Sequence, residues 1–147
     1  MELNDEITIT APKARVYEAL NDPEILQACI PGCEELIKHS DNELEARVVL
    51  KIGPVKAKFT GDIKLNQDGA PDSFSLSGKG NGGTAGFAKG SANVSLTEQD
   101  GVTLLTYAAK AEIGGKLAQL GGRLIMGTAK KLAAKFFTDF SDIVGEN

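Results

Sequence analysis

The sequence predicts an α+β domain in which a curved, seven-stranded antiparallel sheet wraps a long C-terminal helix, with two short helices following the first strand. Three patterns predict it. Residues 2–10 alternate at period two and are followed at once by proline-marked helical segments. About ninety residues of alternating runs separated by turn signals come next. The last thirty or so residues then switch to helical spacing.

In the first strand, about Glu2 to Thr10, Leu3, Asp5, Ile7 and Ile9 share one register, so one face is buried. Ala11-Pro12 opens the first helix, where Val16, Ala19 and Leu20 recur at helical intervals up to Asn21. Asp22 can cap a second helix, about Glu24 to Ala28, with Pro23 at its first position. Turn signals at Ser40-Asp41-Asn42, Gly53-Pro54, Gln67-Asp68-Gly69, Asn81-Gly82-Gly83 and Gln99-Asp100-Gly101 then delimit six antiparallel strands. The clearest is Val55 to Leu65, with Val55, Ala57, Phe59, Gly61, Ile63 and Leu65 on one face and Lys56, Lys58, Thr60, Asp62 and Lys64 on the other. The closing helix is expected from about Gly115 to Ile143, with Leu117, Leu120, Leu124, Ile125, Leu132, Phe136, Phe140 and Ile143 on its apolar stripe.

The order strand, two short helices, six strands, long helix is that of the helix-grip fold, and the 147 residues suit one such domain, residues 1–147. The gap between sheet and helix is then a pocket. Among 17 glycines, Gly61, Gly78, Gly80 and Gly90 join Ala85, Ala88, Ala92, Ala109 and Ala111 on the strands, and Gly121, Gly122 and Gly127 fall in the helix. Interior helix glycines cost about 1 kcal/mol each relative to alanine. Two readings stay open: close packing of helix on sheet, or a wall thinned for a ligand. The expected wall residues are Phe59, Phe87, Tyr107, Leu120, Gly121, Leu124 and Thr128, with Pro31 near one mouth.

Composition narrows the function. The net charge is −4 and the lysines are scattered singly, so no field for a phosphate backbone is legible and nucleic acid is not expected as a partner. No apolar run approaches the ~18 residues of a membrane span, and the acidic start MELNDEITIT does not resemble a secretory signal. A cytoplasmic protein is expected, at most peripheral to the inner face of a membrane. Near the C-terminus, Phe137 and Val144 could form an outward apolar ridge beside Lys130, Lys131 and Lys135. The favoured expectation is that the phenylalanines finish the core and that Asp139, Asp142 and Glu146 repel lipid headgroups.

Cys29 and Cys33 flank Ile30-Pro31-Gly32 in the run LQACIPGCEEL. Their spacing is one residue longer than a redox pair, and proline followed by glycine fits a type II turn. Zinc would need about four ligands, and beyond two thiols the chain has one histidine, His39, so no metal is expected. The cysteines read as small reduced fillers. Gly78, Gly80 and Gly83 spell G-x-G-x-x-G, but strand-like residues follow where a dinucleotide site needs a helix, so a hairpin is expected, with Asn81-Gly82 supplying the positive φ angles of a tight turn. Carboxylates cluster at turns, and His39 lacks a nucleophile, so no catalytic residue is assigned and an enzyme is not expected. Tyr107 is the most plausible polar group on an inward strand face; its hydroxyl could donate to a ligand carbonyl or, at least as commonly for a buried tyrosine, reach the backbone.

The run DPEILQACIPGCEEL resembles the signature of the carbon monoxide dehydrogenase G-subunit (CoxG) family, a branch of the START-like superfamily that also holds polyketide cyclases. IGPVKAKFTGDIKL, GKGNGGTAGFAKGSANVSL, LLTYAAKAEIGGKLAQLGGRLI and AKKLAAKFF agree with it, so the resemblance spans nearly the whole chain. It implies an accessory protein serving a molybdenum-containing oxidoreductase, with roles in membrane recruitment and in holding a quinone or another lipophilic molecule, and no covalently bound cofactor. Members often continue into a linker and an apolar tail. This sequence stops at FSDIVGEN, so direct anchoring is not expected. A cyclase- or hydrolase-like enzyme of the same superfamily is the alternative.

Overall fold

In the computed structural model, which describes residues 1–145, β1 (Glu2–Ile9) leads into α1 (Lys13–Leu20) and α2 (Pro23–Cys29). There follow β2 (Cys33–Ser40), β3 (Glu43–Ile52), β4 (Val55–Asn66), β5 (Ser73–Asn81), β6 (Phe87–Gln99) and β7 (Val102–Gly114), and the chain closes with α3 (Gly122–Val144). All seven strands form one antiparallel sheet in the order β1-β7-β6-β5-β4-β3-β2. This is the expected helix-grip architecture. Glu146 lies outside the described residues.

Local chemistry accounts for the boundaries. Asp22 Oδ1 accepts from the amides of Glu24 at 2.9 Å and Ile25 at 3.5 Å, and Pro23 occupies the first helical turn of α2. The Cys33 amide donates to the Ile30 carbonyl at 3.1 Å and Gly32 has φ +76°, which closes the turn between α2 and β2 as a type II turn requires. Asp100 and Gly101 both have positive φ, the two-residue pattern that suits the twist of a hairpin.

Three expectations need correction. The closing helix is not continuous from Gly115. A 3-10 segment runs over Gly115–Leu120, and Gly121, at φ +93°, turns the chain into α3. A left-handed residue cannot lie inside a right-handed helix, so the predicted run is divided there. The β5–β6 turn does not use Asn81-Gly82 at positive φ: Gly82 sits at −107°, a 3-10 turn spans Gly83–Ala85, and Gly83 and Gly86 carry the positive values. Ile143 is 45% exposed, and Val144, 3% exposed, takes its place in the core.

The main core lies under the second half of α3. Phe140 and Val144 pack with Ile9, Val16, Cys29, Val94, Leu96 and Leu105. Phe136 stacks on Phe140 and meets Phe137 edge-on, and Phe137 stacks on Tyr107 at 5.5 Å. Phe137 and Val144 therefore complete the core and form no outward ridge.

Both cysteines are free thiols, Cys29 inside the core and Cys33 half-buried. Burial is the main cause that raises both pKa values, so less thiolate is present at any pH below their titration than an exposed cysteine would show. At about pH 8 a disulfide-exchange reagent is expected to modify Cys33 slowly and Cys29 only after denaturation. Fast labelling of both in the native protein contradicts this placement.

A candidate ligand cavity between sheet and helix

The inner face of the sheet changes in side-chain size from one end to the other. Toward the end that holds the β3–β4 and β5–β6 turns, one cross-strand row reads Ala46, Gly61, Gly80, Ala88, Ile113 and the next Ile63, Gly78, Gly90, Ala111. Farther along come Leu65, Leu76, Ala92, Ala109, Leu3, and then Phe74, Val94, Tyr107, Asp5. The large residues meet the aromatic half of α3. The small ones lie toward its first half.

Gly121, Gly122 and Gly127, for which close packing on the sheet or a thinned wall were the two readings, are exposed and have nothing within 4 Å of a built Cβ, so neither reading applies to them. A Cβ built on Gly61, Gly78 or Gly80 would have only neighbouring-strand atoms and the Phe59 ring within 4 Å, and nothing from α3. No α3 atom therefore lies within 4 Å of a side chain's first carbon at these positions, the part of the inner face with the smallest residues. Toward the β1 edge, a pocket of about 310 Å³ lies between β1, β7 and α3. Leu3, Ile7, Ala133 and Phe137 give it apolar walls, and Asn4, Asp5, Tyr107 and Lys130 supply its polar groups. Burial, and secondly the Asp5 charge, raise the Tyr107 pKa, so its hydroxyl stays a hydrogen-bond donor through neutral pH.

The predicted wall residues divide. Phe59 is on the inner face, its ring beside Gly80 and Gly82, and Tyr107 lines the pocket. Pro31, Leu120 and Thr128 are half-buried, and the Thr128 hydroxyl is committed to the Leu124 carbonyl at 2.9 Å. Leu124, 39% exposed, reaches over Gly53 in the β3–β4 turn. Phe87 is a correction. It falls in the outward register with Lys89 and Ser91, is 47% exposed and lies against Gly114. Gly121 is a second: it is exposed, with no atom within 4 Å of its missing Cβ, and its role is the left-handed turn into α3. Gly127 likewise faces open space, on the exposed side of the helix.

Leu3, Asp5, Ile7, Lys130, Ala133 and Phe137 are not among the residues expected at the site. Asp5 carries a legible signal, a carboxylate in the apolar register of β1. The pairing of Asp5 with Tyr107 depends on β1 crossing to β7, which local pattern does not reveal.

His39 is exposed and faces Glu45 at 3.8 Å. Among the described residues, no three His, Cys, Asp or Glu side chains gather as a metal site, and no helix is long and apolar enough to cross a membrane.

An antiparallel sheet gripping a C-terminal helix over an inner gap defines the START-like class, and solved structures agree. The chain is similar to a conserved protein from Geobacillus kaustophilus at 32% identity and a TM-score of 0.91, over 98% of this chain and 95% of that one. A START superfamily protein from Mycobacterium smegmatis shares the fold at 13% identity and a TM-score of 0.72, covering 97% and 96%. So does the Zhui aromatase/cyclase from Streptomyces sp. R1128, at 11% identity and 0.68, covering 98% and 93%. No curated protein sequence matches. The CoxG family, described as the G-subunit of carbon monoxide dehydrogenase, matches residues 6–145, and the chain belongs to that family.

Proposed function

We propose that this protein is a non-catalytic carrier that holds a lipophilic small molecule of quinone type between the sheet and α3, and assists a molybdenum-containing oxidoreductase of the carbon monoxide dehydrogenase kind. The observation that carries the reading is the inner face at Gly61, Gly78 and Gly80, where no α3 atom lies within 4 Å of a built Cβ. The stacked Tyr107 and Phe137 rings suit a planar ring, and the Tyr107 hydroxyl suits a carbonyl oxygen. The family's description supports the kind of partner. An environment-sensitive dye is expected to bind at one site per chain and to be displaced by a short-chain benzoquinone. Tyr107→Phe is expected to weaken the quinone by about 3- to 10-fold, the worth of one hydrogen bond, and to leave the dye unchanged. No saturable dye or quinone binding contradicts the carrier reading.

The second reading is a cyclase-like enzyme. The observation that favours it is that Asp5, Tyr107 and Lys130 line one pocket in a fold shared with an aromatase/cyclase. Turnover of a polyketide-type substrate that Tyr107→Phe abolishes would decide for it.

A further inference from the structure

Asp5 is the one carboxylate in the inward register of β1, where its neighbours are Leu3, Ile7 and Ile9. Its Oδ1 accepts from the Glu6 amide at 2.8 Å, which orients the group and leaves the second oxygen to whatever occupies the pocket. Asp5 pairs directly with Tyr107 across the sheet, so the two side chains leave neighbouring strands about 5 Å apart. Lys130 lines the same pocket from α3.

These three groups are not spent on one another. Among the described residues, no ion pair within 4.0 Å includes Asp5 or Lys130, and the Tyr107 hydroxyl makes no hydrogen bond to another residue. One acceptor and two donors therefore open on a space of about 310 Å³. Asn4 lines it too, but a carboxamide both donates and accepts and so favours no particular ligand oxygen.

A quinone has a reduced form that differs in this same property. Two electrons and two protons turn each carbonyl oxygen into a hydroxyl. A carbonyl oxygen only accepts, so it suits Tyr107 and Lys130 but faces the Asp5 carboxylate, also an acceptor, with no proton between them. A phenolic hydroxyl donates to Asp5 and still accepts from Tyr107 or Lys130. Hydrogen bonds to a charged acceptor are also stronger than neutral ones.

We propose that Asp5 makes this site selective for the hydroquinone form of its cargo over the quinone. This selectivity rests on the carrier reading above and adds the redox state that the carrier holds more tightly. Tyr107 and Lys130 can donate to either form, so the discrimination falls on Asp5. Asp5 and Lys130 are exposed at the mouth, where water competes, which keeps the preference moderate.

Tetramethylbenzoquinone and its hydroquinone, each titrated under argon against the bound dye, test this on the full chain. The hydroquinone is expected to bind the wild type about fivefold more tightly than the quinone. Asp5→Asn keeps the shape and removes the charge, so the two forms are expected to bind within about twofold of each other, with an unchanged melting temperature. Tyr107→Phe is expected to weaken both forms and to leave their ratio as in the wild type, because the ligand oxygen accepts from it in each. The wild-type ratio decides on its own should the Asp5 variant melt early. Equal affinities, a preference for the quinone, or a hydroquinone preference that Asp5→Asn leaves intact overturns the selectivity while the carrier reading stands. Saturable binding of neither form overturns both.

Discussion

Gly32→Val is expected to destabilise the domain by about 3 kcal/mol or more, combining left-handed strain with a backbone clash. Gly32 has φ +76°, and a Cβ there would lie 2.1 Å from the Val49 carbonyl oxygen, a contact that no rotamer relieves. The same glycine's carbonyl accepts from the Val49 amide at 2.9 Å, so moving the turn away breaks a hydrogen bond that joins it to β3. For a chain of this size the melting temperature should fall by about 10 °C. Gly83→Ala separates the two causes. Gly83 is also left-handed, at +62°, but meets nothing within 4 Å, so only the strain, about 1 kcal/mol, is expected. Equal losses for the two variants would mean that the clash contributes little.

Gly78→Leu is expected to abolish most ligand binding, by about tenfold or more, while stability holds or rises. Gly78 lies at ordinary φ, and a Cβ there would make unstrained contacts of 3.5 Å to the Asp62 carbonyl oxygen and 3.6 Å to the Ile63 side chain. The leucine would project into the gap beneath α3 and take volume from any guest. Burying it contributes about 1.5–3 kcal/mol, against whatever rotamer and packing strain it meets. Gly90→Leu is the contrasting case, because its Cβ would stand 2.8 Å from the Lys110 carbonyl oxygen and force β6 and β7 apart. A large drop in the melting temperature of Gly78→Leu would mean that helix and sheet already touch there, and that the gap is not a cavity.

These two glycines show what the sequence could convey. Gly32 was legible because proline before glycine at a strand entry specifies a turn type, and a turn type specifies a backbone angle. The sheet was legible for a similar reason: alternation and turn residues are local, and β4 keeps its inward register through all of Val55–Leu65. Gly121 was not, because a glycine at the start of a helix and one inside it look alike until the φ angle is known. Phe87 failed through register. The β5–β6 connection uses Gly83–Ala85 as a 3-10 turn, which leaves Phe87 outward and Ala88 inward.

The cavity itself was half legible. Small residues on inward strands suggested a thin wall, but only the placement of α3 separates a gap from tight packing. The polar side of the pocket was missed because Asp5 and Tyr107 are a hundred residues apart in the chain and meet through the β1–β7 pairing.

The central claim is that a lipophilic guest sits between the inner face of the sheet and α3, reaching from the glycine rows to Tyr107. Amide chemical shifts followed while a short-chain benzoquinone is titrated into the labelled protein test it most directly. The claim predicts shifts confined to Leu3, Asp5, Ile7, Gly61, Gly78, Gly80, Gly90, Ala109 and Tyr107 and to residues 125–137 of α3, with Lys89, Ser91 and Lys110 on the outer face moving only where their own strand is shared. Shifts centred on the exposed turns or the outer lysines, or none at saturating quinone, would contradict it.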